Sequence, residues 1–155
     1  ALNLLGAIAE RREDLPAAIG FYERGLELEP GSIPLRARLA DTLARQDEGQ
    51  RALAIYELLI EDGALDADAE RLYKAAMLNT RYGDPARAEG LFRRGLALAP
   101  GGVHHLSMAF ILNRNGKLGE GIEHLELVLE RYRADLSPQQ AQLAARTLEQ
   151  WRRSL

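Results

Sequence analysis

The chain has 155 residues, with 20 Lys+Arg against 23 Asp+Glu for a formal charge of −3, 46% apolar and 28% charged residues, and no cysteine. That length and apolar content suffice for a real core and exclude a disordered chain; the missing cysteine excludes a disulfide framework, a thiolate zinc site and a cysteine nucleophile. The slightly acidic balance argues against a nucleic-acid binder, and no apolar run approaches the roughly 20 residues that a membrane-spanning helix needs.

In chain order, Leu2, Leu5, Gly6 and Ala9 recur at helical spacing, and Leu15, Ala18, Ile19, Tyr22 and Leu26 do so again. The break between these two helices falls near Glu13-Asp14, with Asp14 as N-cap and Pro16 in the first turn of the second; Pro30-Gly31 stops that helix. The same grammar returns where Gly83 ends one helix, Asp84 caps the next and Pro85 opens it. The pattern predicts helix pairs at about 1–12/15–29, 33–46/48–62, 67–82/84–98 and 103–115/118–133. Ser137-Pro138 begins a last helix that runs to about residue 153. No window alternates as a strand does, so no sheet is expected.

The pairs are copies of one another. Arg24-Gly25-Leu26-Glu27-Leu28-Glu29-Pro30-Gly31 and Arg94-Gly95-Leu96-Ala97-Leu98-Ala99-Pro100-Gly101 agree at six of eight positions, 70 residues apart. Seventy is two units of about 34–36 residues, and weaker copies stand at Arg51–Ile60 and Gly121–Leu129. Small residues hold matching places: Gly6, Ala40, Ala76 and Ala109 in the first helices, and Ala18, Ala52, Ala88 and Gly121 in the second. Small side chains let helices cross closely, and Tyr22, Tyr56, Phe92 and Leu125 are placed to fill the space beside them.

A unit near 34 residues, Leu5-Gly6 in a first helix, Ala18 and an aromatic Tyr22 four residues on in the second, and a closing Pro30 resemble the tetratricopeptide repeat. Leu39-Ala40, Ala52 and Tyr56 repeat the pattern; so do Ala75-Ala76, Ala88, Phe92 and Pro100, and Met108-Ala109, Gly121 and Leu125. The sequence departs from it at Arg36 and His105, where a large apolar residue is usual, and at Asn79, a core slot. The resemblance implies an all-α fold: a right-handed α-solenoid of about four helix pairs plus a C-terminal capping helix. The units are about 1–32, 33–66, 67–101 and 102–133, with 137–155 as an amphipathic cap or the first helix of a truncated fifth repeat. Leu143, Ala144, Leu148, Trp151 and Leu155 form the apolar face of that last helix.

The chemistry-bearing residues are few. His104 and His105 are adjacent and point about 100° apart on a helix, so they cannot chelate together; Glu120 and His124 stand at i, i+4 and read as a solvent-facing polar patch, because zinc wants three or four ligands. The four serines have no His/Asp placed for a triad, and Gly101-Gly102 reads as a helix stop, not a phosphate loop. No catalytic residue, cofactor or metal is expected.

The resemblance implies a concave groove lined by the first helices, where partners bind. Its candidate lining is Asn3, Ala7, Ala37, Asp41, Tyr73, Met77, Leu106 and Phe110, with Tyr73, Met77, Leu106 and Phe110 expected as one exposed apolar patch unless the last helix folds over it. The full Lys, Asn and Arg set of the subgroup that grips C-terminal carboxylates is missing. Arg11, Arg45, Arg81 and Arg114 take the same place in each unit and predict a basic rim, either a helix-terminus device or a ladder for an acidic segment or an anionic polymer. The expected function is a non-catalytic scaffold binding a peptide or protein. The alternatives are an assembly or spacer module of a bacterial export or exopolysaccharide-secretion machine, or a regulatory domain of a larger enzyme. A bacterial source is expected because 18 of the 20 basic residues are Arg, and Ala1 reads as the cut end of a longer protein.

Overall fold

A computed structural model describes residues 1–155. It is all-helical: α1 (Leu2–Arg11), α2 (Leu15–Leu28), α3 (Ile33–Arg45), α4 (Gly49–Glu61), α5 (Ala69–Tyr82), α6 (Pro85–Leu98), α7 (Gly102–Arg114), α8 (Leu118–Arg131) and α9 (Pro138–Arg152), with a short 3₁₀ turn at Arg133–Asp135 between the last two. Each expected helix is present within a residue or two of its expected ends. The chain divides into two compact units, 1–67 and 68–155. In the first, α1 packs on α2, α2 on α3 and α3 on α4; in the second, α5 through α9 follow one another in the same way.

The side chains that start the helices do so by capping. Asp14 accepts from the Ala17 N–H at 3.1 Å, Asp68 from that of Arg71 at 3.0 Å and Asp84 from that of Ala86 at 2.8 Å. Ser137 and Gln140 form a reciprocal capping box on α9. Within three pairs the first helix ends in the same Schellman turn, in which a backbone N–H reaches back five residues: Asp14 to Ala9 at 3.0 Å, Glu48 to Leu43 at 2.9 Å and Lys117 to Leu112 at 2.8 Å. The residue that turns the chain has positive φ in each: Glu13 at 59°, Asp47 at 62° and Gly116 at 78°.

The third pair makes this turn differently, and that difference accounts for Asn79. Here the Asp84 N–H meets the side-chain Oδ1 of Asn79, at 3.5 Å, in place of a backbone carbonyl. Asn79 Nδ2 donates to Ala75 O at 3.2 Å, so the buried amide is satisfied at both ends. Arg36, the second departure, is a clamp. Its Nε and Nη2 donate to Pro30 O at 3.1 and 2.7 Å, and its Nη1 to Asp62 at 3.0 Å, tying the end of α2 to the end of α4.

The expected crossings are the core. Ala18, Ala40, Ala52, Ala76, Ala88 and Ala109 are fully buried, as are Tyr22, Tyr56, Phe92 and Leu125. Gly6 lies directly against the Tyr22 ring, where a β-carbon would fall 2.3 Å from Cε1. At the other end, Trp151, Leu148 and Ala144 of α9 join Leu106, Ala109, Ile122, Leu125 and Val128 in one cluster. The apolar face of α9 is narrower than its sequence suggests, because Leu143 and Leu155 are exposed.

Candidate functional site

In the first unit, the accessible faces of α1 and α3 border an open cavity of about 440 Å³ lined by Leu4, Ala7, Ile8, Glu10, Arg11, Arg38 and Arg45. Leu4 is 66% exposed and Ile8 38%. Glu10 organises this face. Its carboxylate accepts from Tyr22 Oη at 2.9 Å and Thr42 Oγ1 at 2.7 Å, and it stands 3.4 Å from Arg38 and 3.7 Å from Arg45. Burial first, then the Glu10 carboxylate, pushes the Tyr22 phenol up to about 12, which keeps it a neutral donor. The face thus presents three arginines against one carboxylate that is already hydrogen-bonded. A smaller hollow of about 340 Å³ opens at Ala1, Leu2, Asn3, Gly25, Leu28, Glu29, Ser32, Pro34 and Leu35.

The structure redistributes the expected groove residues. Asn3 is exposed, and Ala7 and Asp41 are half-buried, with Asp41 accepting from Tyr56 Oη at 2.5 Å. Ala37 is buried. In the second unit, the expected exposed patch of Tyr73, Met77, Leu106 and Phe110 is not formed as such. Tyr73 is buried, its ring 3.5 Å from that of His104 and its Oη donating to Ala99 O at 2.6 Å. Leu106 is buried in the cluster with Trp151. Only Met77, 52% exposed, and Phe110, 38% exposed, remain open, and Phe110 meets the edge of Trp151 with ring centroids 5.6 Å apart. The physical reason is register: Ala37, Tyr73 and Leu106 face the packed side of their helices, while Met77 and Phe110, one turn further on, stay accessible. The last helix covers part of this face.

The expected arginine row has different local partners in each unit. Arg11 is exposed and makes no ion pair, whereas Arg45 faces Glu10. Arg81 lies over the Tyr82 ring at 4.9 Å, and Arg114 donates to Thr80 O at 2.8 Å, capping the end of the neighbouring first helix.

Sequence spacing missed two polar centres. Glu89 of α6 is nearly buried yet accepts from Arg93 at 3.0 Å, Lys117 at 2.7 Å and Asn115 at 2.9 Å. Burial alone would raise this carboxyl, but the hydrogen bonds from Lys117, Asn115 and Arg93 outweigh it and hold it at about 2. The other centre replaces the expected Glu120–His124 patch: Glu120 pairs with Arg93 at 2.7 Å, and His124 turns inward to His105. Neither partner is at helical spacing, so no sequence pattern could have joined them.

Repeated helix pairs, small residues at every crossing, a tyrosine, phenylalanine or leucine beside each, and one recurring left-handed turn constitute the tetratricopeptide-repeat fold. Solved structures agree. The chain is similar to MamA (41-end) from Desulfovibrio magneticus RS-1, with TM-score 0.74 at 20% identity, covering 88% of this chain and 76% of that one. It is similar to MamA AMB-1, with TM-score 0.76 at 19% identity, covering 88% and 74%. It is also similar to YrrB, described as a TPR protein with an unusual peptide-binding site, with TM-score 0.74 at 16% identity, covering 81% and 64%. At these identities the likeness is one of fold. No protein-family model and no curated protein matches the sequence. No helix is long and apolar enough to cross a membrane.

Proposed function

We propose that this chain is a non-catalytic interaction scaffold that binds a peptide or protein segment along the faces of its first helices, with the α1–α3 face as the principal site. The observation that carries this is the open cavity where Leu4 and Ile8 stand exposed beside Arg11, Arg38 and Arg45. Large apolar side chains held open within a polar rim favour a partner. The cationic excess favours a segment that sets an acidic residue next to a large apolar one. That the similar YrrB structure is described as having a peptide-binding site supports the reading. Met77 and Phe110 offer a second, smaller apolar contact in the other unit. We further read the chain as four repeats at about 1–32, 33–66, 67–101 and 102–133 with α9 as a cap; the burial of Trp151 and Leu148 against α8 supports that division.

The test is a fluorescence-anisotropy screen of short peptides that combine acidic and large apolar residues, against the unaltered chain and two double variants. Ile8→Asp with Arg11→Glu should abolish binding while far-UV circular dichroism stays unchanged, and binding to the unaltered chain should weaken with added salt. Binding lost only in Met77→Glu with Phe110→Glu would move the site to the second unit. Binding indifferent to both variants, or absent throughout, would overturn the proposal.

A further inference from the structure

The buried imidazole of His105 meets the half-buried one of His124 across the α7–α8 crossing, with their Nδ1 atoms 3.0 Å apart. A hydrogen bond there needs one donor and one acceptor, so only one of the two Nδ1 atoms can carry a hydrogen. Tyr132, just beyond the end of α8, stacks on His105 with centroids 5.0 Å apart and closes the site from above. The backbone there is tight: a β-carbon at Gly102, the first residue of α7, would fall 2.8 Å from Tyr132 O, and the Gly102 N–H donates to Asp135 Oδ2 at 3.2 Å.

The charged groups around the pair come from every neighbouring element. Arg93 of α6 acts on His124 and is held by Glu89 of its own helix and by Glu120 of α8. On α7, His104 adjoins His105 and stacks on Tyr73 of α5. The 3₁₀ turn contributes Asp135. The one carboxylate that acts on the pair, Glu120, is already paired with Arg93.

We propose that the His105–His124 contact is an acid-released latch on the α7–α8 pair, closed while the two rings share at most one added proton and opened when both are protonated. With no added proton, one Nδ1–H donates to the other ring. With one, the imidazolium donates to its neutral partner and the contact persists. The second proton sets two N–H groups and two positive charges head to head. The segment that parts is the start of α7, the end of α8 and the 3₁₀ turn folded over them.

Burial first, and then the neighbouring imidazoles, pushes His105 below the ordinary histidine value of 6.5. Burial and then Arg93 lower His124, against an opposing pull from Glu120. The folded state therefore binds fewer protons than the unfolded one below pH 6.5. The stabilisation is complete above that value and is lost as pH falls through the lower folded values.

The test compares the unaltered chain with His105→Leu/His124→Leu by urea titration at pH 7.5 and 5.5. Each extra proton taken up on unfolding lowers the folding constant by up to about tenfold per pH unit. The unaltered chain should thus lose more than the double variant, by up to about tenfold for each proton the folded pair excludes. Imidazole ¹⁵N NMR of the unaltered chain should show the two rings titrating as a coupled pair whose last step lies below the ordinary histidine value of 6.5. Amide protection at the start of α7 and the end of α8 should fall with that step. Independent titration of the two rings near 6.5, or an equal acid loss in the double variant, would overturn the latch. Should the double variant not fold, the NMR titration alone decides.

Discussion

Gly6→Ala adds one methyl group at the tightest crossing in the chain. The new β-carbon would stand 2.3, 2.6 and 2.8 Å from Cε1, Cζ and Cδ1 of Tyr22, where carbon atoms normally rest about 3.5–4.0 Å apart. The ring has nowhere to go. Tyr22 is fully buried, and its hydroxyl is fixed at 2.9 Å to Glu10, which is itself held by Thr42 at 2.7 Å. Relief requires either that α1 lift from α2 or that the ring turn and release Glu10. Overpacking of this kind costs about 1–3 kcal/mol, and a lost hydrogen bond adds about 0.5–1.5 kcal/mol. Alanine's better helix propensity returns about 1 kcal/mol. The net expectation is destabilisation of about 0.5–3.5 kcal/mol.

Gly20→Ala supplies the control. Gly20 lies inside α2, and nothing stands within 4 Å of where its β-carbon would be. Propensity acts alone there, and the variant should gain up to about 1 kcal/mol. Urea unfolding followed by far-UV circular dichroism measures both. If the two variants shift the midpoint in the same direction, the small residue at position 6 is not there to admit Tyr22, and the packing argument for every equivalent crossing fails with it.

Glu89→Gln should destabilise the chain by about 2–3 kcal/mol at pH 7, because hydrogen bonds to charged groups are the stronger kind and Lys117 and Arg93 lose their shared anion. Since the Glu89 carboxyl is held at about 2 against an ordinary 4.5, its contribution is present above pH 4.5 and disappears as pH falls toward 2; the difference between the unaltered chain and the Glu89→Gln variant in acid titration should close over that window. Trp151→Ala should cost about 3–5 kcal/mol and leave Phe110, which Trp151 now meets edge-on, open to quenching and hydrophobic dyes. A Trp151→Ala chain with unchanged unfolding would mean that α9 does not hold the end of the second unit.

The helices and crossings were legible in the sequence because repetition reports the same constraint several times. Ala18, Ala52 and Ala88 each face a crossing helix, so each must be small, and the eye needs only the spacing. Turn conformation was less legible. Glu13 and Asp47 take the same left-handed backbone as Gly116, yet only the glycine announces it, since the other two are held there by the Schellman hydrogen bonds and not by their own preference. Asn79 and Arg36 read as faults in the pattern because a one-dimensional template records the residue usual at a slot. It does not record that a side-chain carbonyl can stand in for a backbone one, or that a guanidinium can tie two helix ends.

The candidate site was the least legible part, and the reason is geometric. A helix face read from sequence alone is fixed only to within about the 100° that separates successive residues. That uncertainty is enough to put Tyr73 and Leu106 on the wrong side of the boundary between core and surface while leaving Met77 and Phe110 on the right one. Polar pairing is harder still, because Arg93 and Glu120 meet only through the stacking of one repeat on the next, and His105 and His124 only through the pairing of two helices within one. A repeat scaffold therefore writes its fold into the positions that recur and its individuality into those that do not. The exposed Leu4 and Ile8, and the paired histidines, belong to the second kind. They are where a partner or a change of pH can distinguish this chain from others built on the same helix pairs.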